Sequence, residues 1–235
     1  MMNILGQIMG TLMRVVYDFI SNTIPTEPEQ FSYYAMAIIV TTFIFKLVMI
    51  PLSIKQAKST AQMQKLQPEI QKLQEKYGKD AQTLARKQQE LYAKEKINPM
   101  SGCLPLLIQM PILLAFYRIF LEPTTYVFTP AVYEAMNKAF FWIPNLNLPD
   151  PTGLVLPLIA GGATYLQQKM MQPPQQQGPG AQQAQQMTNT MSIMMPIMIF
   201  MMYRNFSAGI ALYWVANVAF SIAQQKIVNK IVARD

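Results

Sequence analysis

Residues 34–54 decide the fold, and they read YAMAIIVTTFIFKLVMIPLSI. Lys46 is the only charged residue in this apolar stretch. An α-helix of roughly 20 apolar residues crosses ~30 Å of hydrocarbon. At ~1.5 Å of rise per residue, Lys46 lies roughly 18 Å from Tyr34 and about 12 Å from Ile54. The stretch therefore predicts a transmembrane helix that carries a lysine at membrane depth.

Lys46 has two interpretations. A charge at that depth costs about 2.5–3.5 kcal/mol on insertion scales, so it normally faces protein or trapped water. In the first interpretation the long side chain extends to the cytoplasmic headgroups and only anchors the helix. In the second the amine stays in a wet cavity that an acidic group visits. We favour the second interpretation, and the stretch alone leaves both open.

The composition is typical of a membrane protein. Of 235 residues, 51% are apolar and 13% are charged. There is no histidine, and Cys103 is the one cysteine, which excludes Ser-His and Cys-His dyads, most zinc sites and an intrachain disulfide. The carboxylates lie mostly in charged segments, and no glycine-rich phosphate loop occurs. The sequence therefore argues against an enzyme and predicts neither a metal nor a cofactor.

The net charge of +7 is unevenly distributed. Ten of the nineteen Lys and Arg residues lie between positions 55 and 96, where five acidic residues are interleaved with them. The only aromatic residues there are Tyr77 and Tyr92, so sequence-specific binding of nucleic acid is not expected. In a membrane protein this bias indicates the cytoplasmic side.

Residues 1–30 are predicted to form an extracytoplasmic amphipathic helix in the membrane interface, followed by a linker. Arg14, Asp18 and Asn22 lie on its polar side. The apolar stripe consists of Ile4, Leu5, Ile8, Met9, Leu12, Val15, Val16, Phe19 and Ile20. A weak first span is the alternative. A cleaved signal peptide is not expected, because the segment has no basic n-region and no small-residue cleavage site.

Residues 57–97 are predicted to form a cytoplasmic helical hairpin. An apolar seam with 3-4-3-4 spacing runs along its first helix. The seam consists of Met63, Leu66, Ile70, Leu73 and Tyr77. Pro68 should bend this helix, and the second helix is expected over residues 81–96. The alternative is a solvated charged linker, which the seam disfavours.

The remaining segments alternate between spans and loops. Transmembrane helices are predicted at 31–56, 98–121, 153–171, 187–204 and 205–226, an extracytoplasmic loop at 122–152, a flexible cytoplasmic loop at 172–186 and a cytoplasmic tail at 227–235. Trp142 is expected at the membrane interface with Phe140 and Phe141. Gly161 and Gly162 favour close helix packing. The methionines of the fourth span either repack around varied partners or simply face lipid.

Charge asymmetry sets the expected orientation. With five spans, the hairpin, the 172–186 loop and the C-terminus share one side, which also holds the Lys and Arg excess. The sequence therefore predicts an all-α integral membrane protein with five transmembrane helices, its N-terminus outside and its C-terminus in the cytoplasm.

Five short motifs resemble the YidC/Oxa/Albino family of membrane protein insertases. They are KLVMIPL at 46–52, LQP at 66–68, NPMSGCLPLLIQMPI at 98–112, QQKM at 167–170 and FSAGIALYWVAN at 206–217. They occur in the family's order and spacing, and the resemblance covers roughly residues 30–230. Several independent motifs in one order make a chance match very improbable.

The resemblance implies a hydrophilic groove between the five helices, open to the cytoplasm and lipid and closed outside. A family arginine in the first span lines that groove, and Lys46 stands at its position here. Lysine carries the same positive charge as arginine but lacks the planar guanidinium group, which can donate two parallel hydrogen bonds to one carboxylate. Further groove positions fall on Gln167 or Gln168 and on Trp214. Gln109 and Tyr213, which lie within the matching motifs, complete the implied substrate groove.

The resemblance also implies function, location and partners. The expected function is insertion and chaperoning of nascent membrane proteins in the bacterial plasma membrane, alone or with the Sec translocon. Ribosome, signal recognition particle and its receptor are further expected partners, with the hairpin as the first contact and the lipid bilayer as the destination. Few residues precede the first span, which indicates the short form of Gram-positive bacteria.

Two other functions compete with this one. A small transporter or channel could use Lys46 as an intramembrane charge site. It should show an internal repeat and matching broken helices, and the sequence shows neither. A purely structural scaffold does not explain a charge at membrane depth.

Overall fold

The computed structural model describes residues 2–78, 80–98, 104–171 and 181–232, with backbone alone for 2, 104–108, 171, 181–188 and 229–232. These residues form eleven α-helices and no β-strand, so the predicted all-α class is confirmed. In chain order the helices are α1 (Met2–Thr23), α2 (Tyr33–Val48), α3 (Ile50–Lys65), α4 (Gln67–Tyr77), α5 (Ala81–Lys94), α6 (Leu104–Leu121), α7 (Pro123–Tyr126), α8 (Pro130–Ala135), α9 (Val155–Met171), α10 (Ala181–Tyr203) and α11 (Ala208–Val232).

The first predicted span is not one continuous helix. The Ser32 hydroxyl caps α2 by accepting from the backbone N–H of Ala35 at 3.2 Å. The helix ends at Val48 with Met49 as its C-cap, and α3 continues at an angle of 57°. Pro51 explains the break, because it has no N–H for the Leu47 carbonyl and its ring crowds that carbonyl. The segment predicted as the first transmembrane helix, 31–56, therefore contains a bend, and α3 runs on past residue 57, where the hairpin was predicted to start.

No single described helix is long and apolar enough to cross a membrane by itself. The bent pair Tyr33–Val48 and Ile50–Lys65 meets that criterion when its two helices are taken together.

The basic segment contains two paired helices. Leu66 separates α3 from α4, so Pro68 falls in the first turn of α4, where its missing N–H costs little. Leu66 and Ile70, from the predicted seam, are buried, and α4 packs against α5. The Asp80 carboxylate caps α5 by accepting from the backbone N–H of Thr83 at 3.1 Å. The second helix ends at Lys94, two residues earlier than expected.

Helix α11 is the centre of the described bundle. It packs against α2, α6 and α9, and α9 in turn packs against α10. Gly209 lies at the start of α11, where a Cβ would come within 2.4 Å of the Phe120 ring. At Gly161 a Cβ would lie 3.0 Å from the carbonyl oxygen of Pro196. The expected close packing therefore occurs at Gly161, while Gly162 faces open space.

Helix α1 divides its apolar residues between two surroundings. One half of the stripe is buried against α2 and α6, whereas the adjacent half is 59–69% exposed. The buried stripe residues are Met9, Val16 and Ile20, beside the buried Met13, which the predicted stripe did not include, and the exposed ones are Ile4, Ile8, Val15 and Phe19. The apolar side of the predicted interfacial helix thus also anchors α1 to the other helices.

The 122–152 segment is an ordered connection. It contains α7 and α8, and backbone bonds tie it to the helices on both sides. The N–H of Ser32 donates to the Ala139 carbonyl at 3.1 Å, and the N–H of Gly209 donates to the Leu146 carbonyl at 2.8 Å. These bonds fix the starts of α2 and α11 relative to each other.

Three stretches with sequence predictions lie outside the described residues. They are 99–103, at the start of the second predicted span, 172–180, in the glutamine-rich loop, and 233–235, at the end of the tail. The described part of the 172–186 segment, residues 181–186, belongs to α10, and residues 227–232 of the predicted tail belong to α11.

Candidate functional site

Lys46 lies in the last turn of α2 and makes a side-chain contact with α11. Its Nζ donates a hydrogen bond to the Ser221 Oγ at 2.8 Å. That hydroxyl donates its one proton to the Asn217 carbonyl at 2.7 Å, so its lone pairs are what Lys46 meets. The Lys46 side chain is half-buried. Its amine therefore ends against a neighbouring helix.

The surroundings of the Lys46 amine are neutral. Ion pairs in the described part of the chain include Arg14–Asp18 and the pairs of Glu90 with Arg86 and Lys87. None of them involves Lys46, and no described carboxylate lies within 4.0 Å of its amine. An ammonium has three donors, and Ser221 uses one of them. This amine can accordingly attract an anionic group that comes from outside the chain.

A second polar contact joins α6 to α11. The Gln109 Nε2 donates to the Tyr213 hydroxyl at 3.1 Å. Tyr213 is buried, and its ring stacks on Phe116 with a centroid separation of 3.9 Å. Stacking and the hydrogen bond together fix the Tyr213 side chain. The structure therefore brings together two of the six residues that the sequence singled out.

A third contact joins α11 to α9. The Trp214 Nε1 donates to the Thr164 Oγ1 at 3.0 Å, and Thr164 donates to the Ala160 carbonyl at 2.7 Å. The Trp214 ring lies 6.0 Å from the ring of Tyr203 at the end of α10. Trp214 thus reaches both α9 and α10 from the central helix.

The two glutamines of α9 differ in their contacts. The Gln168 Nε2 lies 2.8 Å from the Met195 sulfur on α10, and a thioether is a weak acceptor. Gln167 precedes it, is half-buried like Gln168 and joins none of the pairs above. The structure therefore connects Gln168, rather than Gln167, to the neighbouring helix.

Helix α11 carries a polar face that sequence reasoning missed. Trp214, Asn217, Ser221 and Gln224 follow one another at spacings of three, four and three residues, which places them on one side of the helix. The Gln224 Nε2 is buried without a hydrogen-bond partner in the described residues. The sequence could have indicated this face, because its polar residues recur at helical spacing within an apolar span. No comparable pattern marked Thr164, the partner of Trp214.

Asp150 positions the start of α9. Its carboxylate accepts from the Leu156 N–H at 2.8 Å, from the Thr152 N–H at 3.0 Å and from the Trp142 Nε1 at 3.1 Å. Burial favours the neutral acid, but these bonds outweigh it and lower the pKa of Asp150. The carboxylate fixes the end of the helix that carries Thr164 and Gln168.

Comparison with known proteins decides the family. The sequence model of the family described as 60Kd inner membrane protein matches residues 27–235. The chain belongs to this family. Two relatives are the membrane protein insertases YidC of Francisella tularensis subsp. novicida (strain U112) and subsp. tularensis (strain SCHU S4 / Schu 4). Each is 34% identical over 230 residues, which are 98% of this chain and 36% of the relative.

These relatives confirm the family that the motifs indicated. The family description and the relatives support a bacterial membrane location. The chain spans about a third of the length of the curated relatives it matches. The short-form interpretation and the orientation of the termini stay predictions.

The fold is also similar to a solved one. The crystal structure of an active YidC insertase, with its first transmembrane domain resolved, matches with a TM-score of 0.60 and 22% sequence identity. The match covers 88% of this chain and 43% of that one. The likeness therefore extends over most of the helices described above.

Proposed function

We propose that this chain is the core of a membrane protein insertase and chaperone. It receives nascent membrane proteins in a positively charged hydrophilic groove and releases their apolar segments into lipid, alone or with the Sec translocon. Family membership and the names of the relatives support this function. The half-buried Lys46 amine, which faces a neutral partner on α11, carries the mechanism.

The groove solves an electrostatic problem. A single-span protein must move a short polar tail across ~30 Å of hydrocarbon, where each unpaired polar group costs several kcal/mol. A wet groove that reaches part of the way shortens the dry path. Two opposite charges 4 Å apart attract by about 4 kcal/mol at an effective dielectric constant of ~20. An acidic tail is thus drawn toward Lys46 and can still leave.

The polar face of α11 is the proposed floor of this groove. Lys46 and Gln109 lie across from it on α2 and α6, and Gln168 on α9 with Trp214 completes the polar lining. Gln224 supports a wet space, because water would satisfy its buried amide. Gln167 and Tyr213 belong to the same proposed set. The apolar segment of the substrate then moves along the helices into lipid, driven by burial of its roughly 20 apolar residues.

The proposed topology follows the charge. We place the basic part of α3 from residue 57 onward, α4, α5 and the C-terminus in the cytoplasm, five spans in the bilayer and α1 in the outer interface. The hairpin α4–α5 is then exposed to cytoplasmic partners, for which ribosome, signal recognition particle with its receptor and the Sec translocon are the candidates.

The test is insertion by purified protein in liposomes. The substrate is a single-span protein with an acidic N-terminal tail, and the variants are Lys46→Arg, Lys46→Ala and Lys46→Glu. We expect Lys46→Arg to retain activity and the other two to lose at least about tenfold, which corresponds to ~1.4 kcal/mol. Thermal unfolding checks that each variant is folded. Wild-type activity in Lys46→Ala would reject the charged groove, and no insertion above protein-free liposomes would reject the function.

A further inference from the structure

We infer that Ser221 is a positioning residue, which holds the Lys46 amine in the groove so that the protein selects substrate tails bearing carboxylates. The inference rests on the proposed function and adds a determinant of substrate selection to it. It comes from the contact between two side chains that are 175 positions apart in the sequence.

The hydrogen-bond direction at Ser221 is fixed by its second partner. Its hydroxyl proton is committed to the Asn217 carbonyl, 2.7 Å away and one helical turn earlier. The oxygen therefore presents lone pairs to Lys46, whose amine lies 2.8 Å away. In this arrangement Ser221 accepts from an ammonium and has no proton left to offer a substrate carboxylate.

That the Ser221 side chain is uncharged is as important as its position. A carboxylate at this place would form an ion pair with Lys46 and cancel the charge that attracts the substrate. A serine hydroxyl holds the amine and leaves its positive charge intact. Two ammonium donors remain for an incoming carboxylate. Ser221 thus fixes where the charge lies and leaves it available.

Without this contact, the amine should no longer occupy one position. A lysine side chain is long and flexible, and it can extend toward headgroups when nothing holds it. The charge would then spend less time facing the groove. Because the hydroxyl acts through Lys46 alone, its effect should vanish when Lys46 is removed.

The experiment compares two substrates that differ only in tail charge. The acidic tail carries Asp and Glu, and the control tail carries Asn and Gln at the same positions. The readout is the ratio of acidic-tail to neutral-tail insertion in liposomes, which a general loss of packing would leave unchanged. The variants are Ser221→Ala, the near-isosteric Ser221→Cys and Ser221→Thr, whose hydroxyl can bond the same carbonyl.

The matched control is Ser53→Ala on α3. Its hydroxyl donates to the Met49 carbonyl at 3.0 Å, which is the same bond to the preceding turn. We expect the ratio to fall about three- to tenfold in Ser221→Ala and Ser221→Cys, the effect of one lost hydrogen bond. It should stay at the wild-type value in Ser221→Thr and Ser53→Ala. In the double variant, adding Ser221→Ala to Lys46→Ala should lower the ratio of acidic-tail to neutral-tail insertion no further than Lys46→Ala does alone.

The outcomes separate this inference from the proposed function. An unchanged ratio in Ser221→Ala and Ser221→Cys, together with a fall in Lys46→Ala, would overturn the role of Ser221 alone. An equal loss with both substrates would assign Ser221 a structural role and also overturn the inference. An unchanged ratio in Lys46→Ala would reject the charged groove itself.

Discussion

Replacing Gly10 with alanine should loosen α1 from the helices it packs against. The residue lies where α1 crosses α7, and a Cβ there would lie 2.2 Å from the backbone oxygen of Tyr126. An ordinary contact needs at least 3.4 Å. Because that oxygen belongs to the backbone, α1 and α7 have to separate by about 1 Å.

The expected loss of docking free energy follows from the buried side chains of α1 that would be displaced. Burying each of four apolar side chains contributes about 1.5–3 kcal/mol, or about 6–12 kcal/mol together. A gap of 0.5–1 Å forfeits about a quarter to a half of the contact energy. A loss of about 1.5–6 kcal/mol in α1 docking is therefore expected. The side chains concerned are Met9, Met13, Val16 and Ile20.

Hydrogen exchange of the α1 amides measures this loss, with the protein in nanodiscs. Their protection should fall at least about tenfold in Gly10→Ala. Gly6→Ala is the matched control, because its Cβ would meet only the Tyr126 ring at 3.2 Å, and that ring can rotate. Wild-type protection in Gly10→Ala would refute the packing described for α1.

Two further predictions concern the ends and contacts of α9. Gly161→Ala should lower thermal stability in nanodiscs by about 1–3 kcal/mol relative to Gly162→Ala, because only the former crowds the Pro196 carbonyl; equal unfolding temperatures would contradict this. Asp150 has a pKa below its ordinary value of 3.8. The ionised carboxylate therefore contributes its full stabilisation of the fold above pH ~4, and this stabilisation is lost as the pH falls through the lower pKa of the folded state. The difference in unfolding temperature between wild type and Asp150→Asn should therefore be constant from pH ~5 to 8 and shrink below pH ~4. A difference that does not change as the pH falls below ~4 would argue against the carboxylate.

Local signals in the sequence predicted much of the fold. Apolar periodicity predicted α1 and the paired helices α4 and α5. Such signals depend on neighbours a few residues apart, which a single sequence displays directly. The break at Met49 was not predicted, although Pro51 is evident in the sequence. Membrane helices tolerate proline, so Pro51 is consistent both with a continuous span and with a broken one.

Contacts between distant residues could not be predicted in the same way. Lys46 was identified by its depth in an apolar stretch, whereas Ser221 gave no sign that it would meet that amine. Trp214 came from a motif, and its partner Thr164 is known only once α9 and α11 are packed. Periodicity showed the broad apolar arc of α1 and could not show which half packs against the helices.

Charge reversal tests the central claim most directly, namely that the Lys46 amine attracts the substrate tail. The measurement is insertion of acidic-tail and basic-tail versions of one single-span substrate by wild type and by Lys46→Glu in liposomes. If the Lys46 charge attracts the tail, wild type favours the acidic tail and Lys46→Glu favours the basic one. An undiminished preference of folded Lys46→Glu for the acidic tail would contradict the claim.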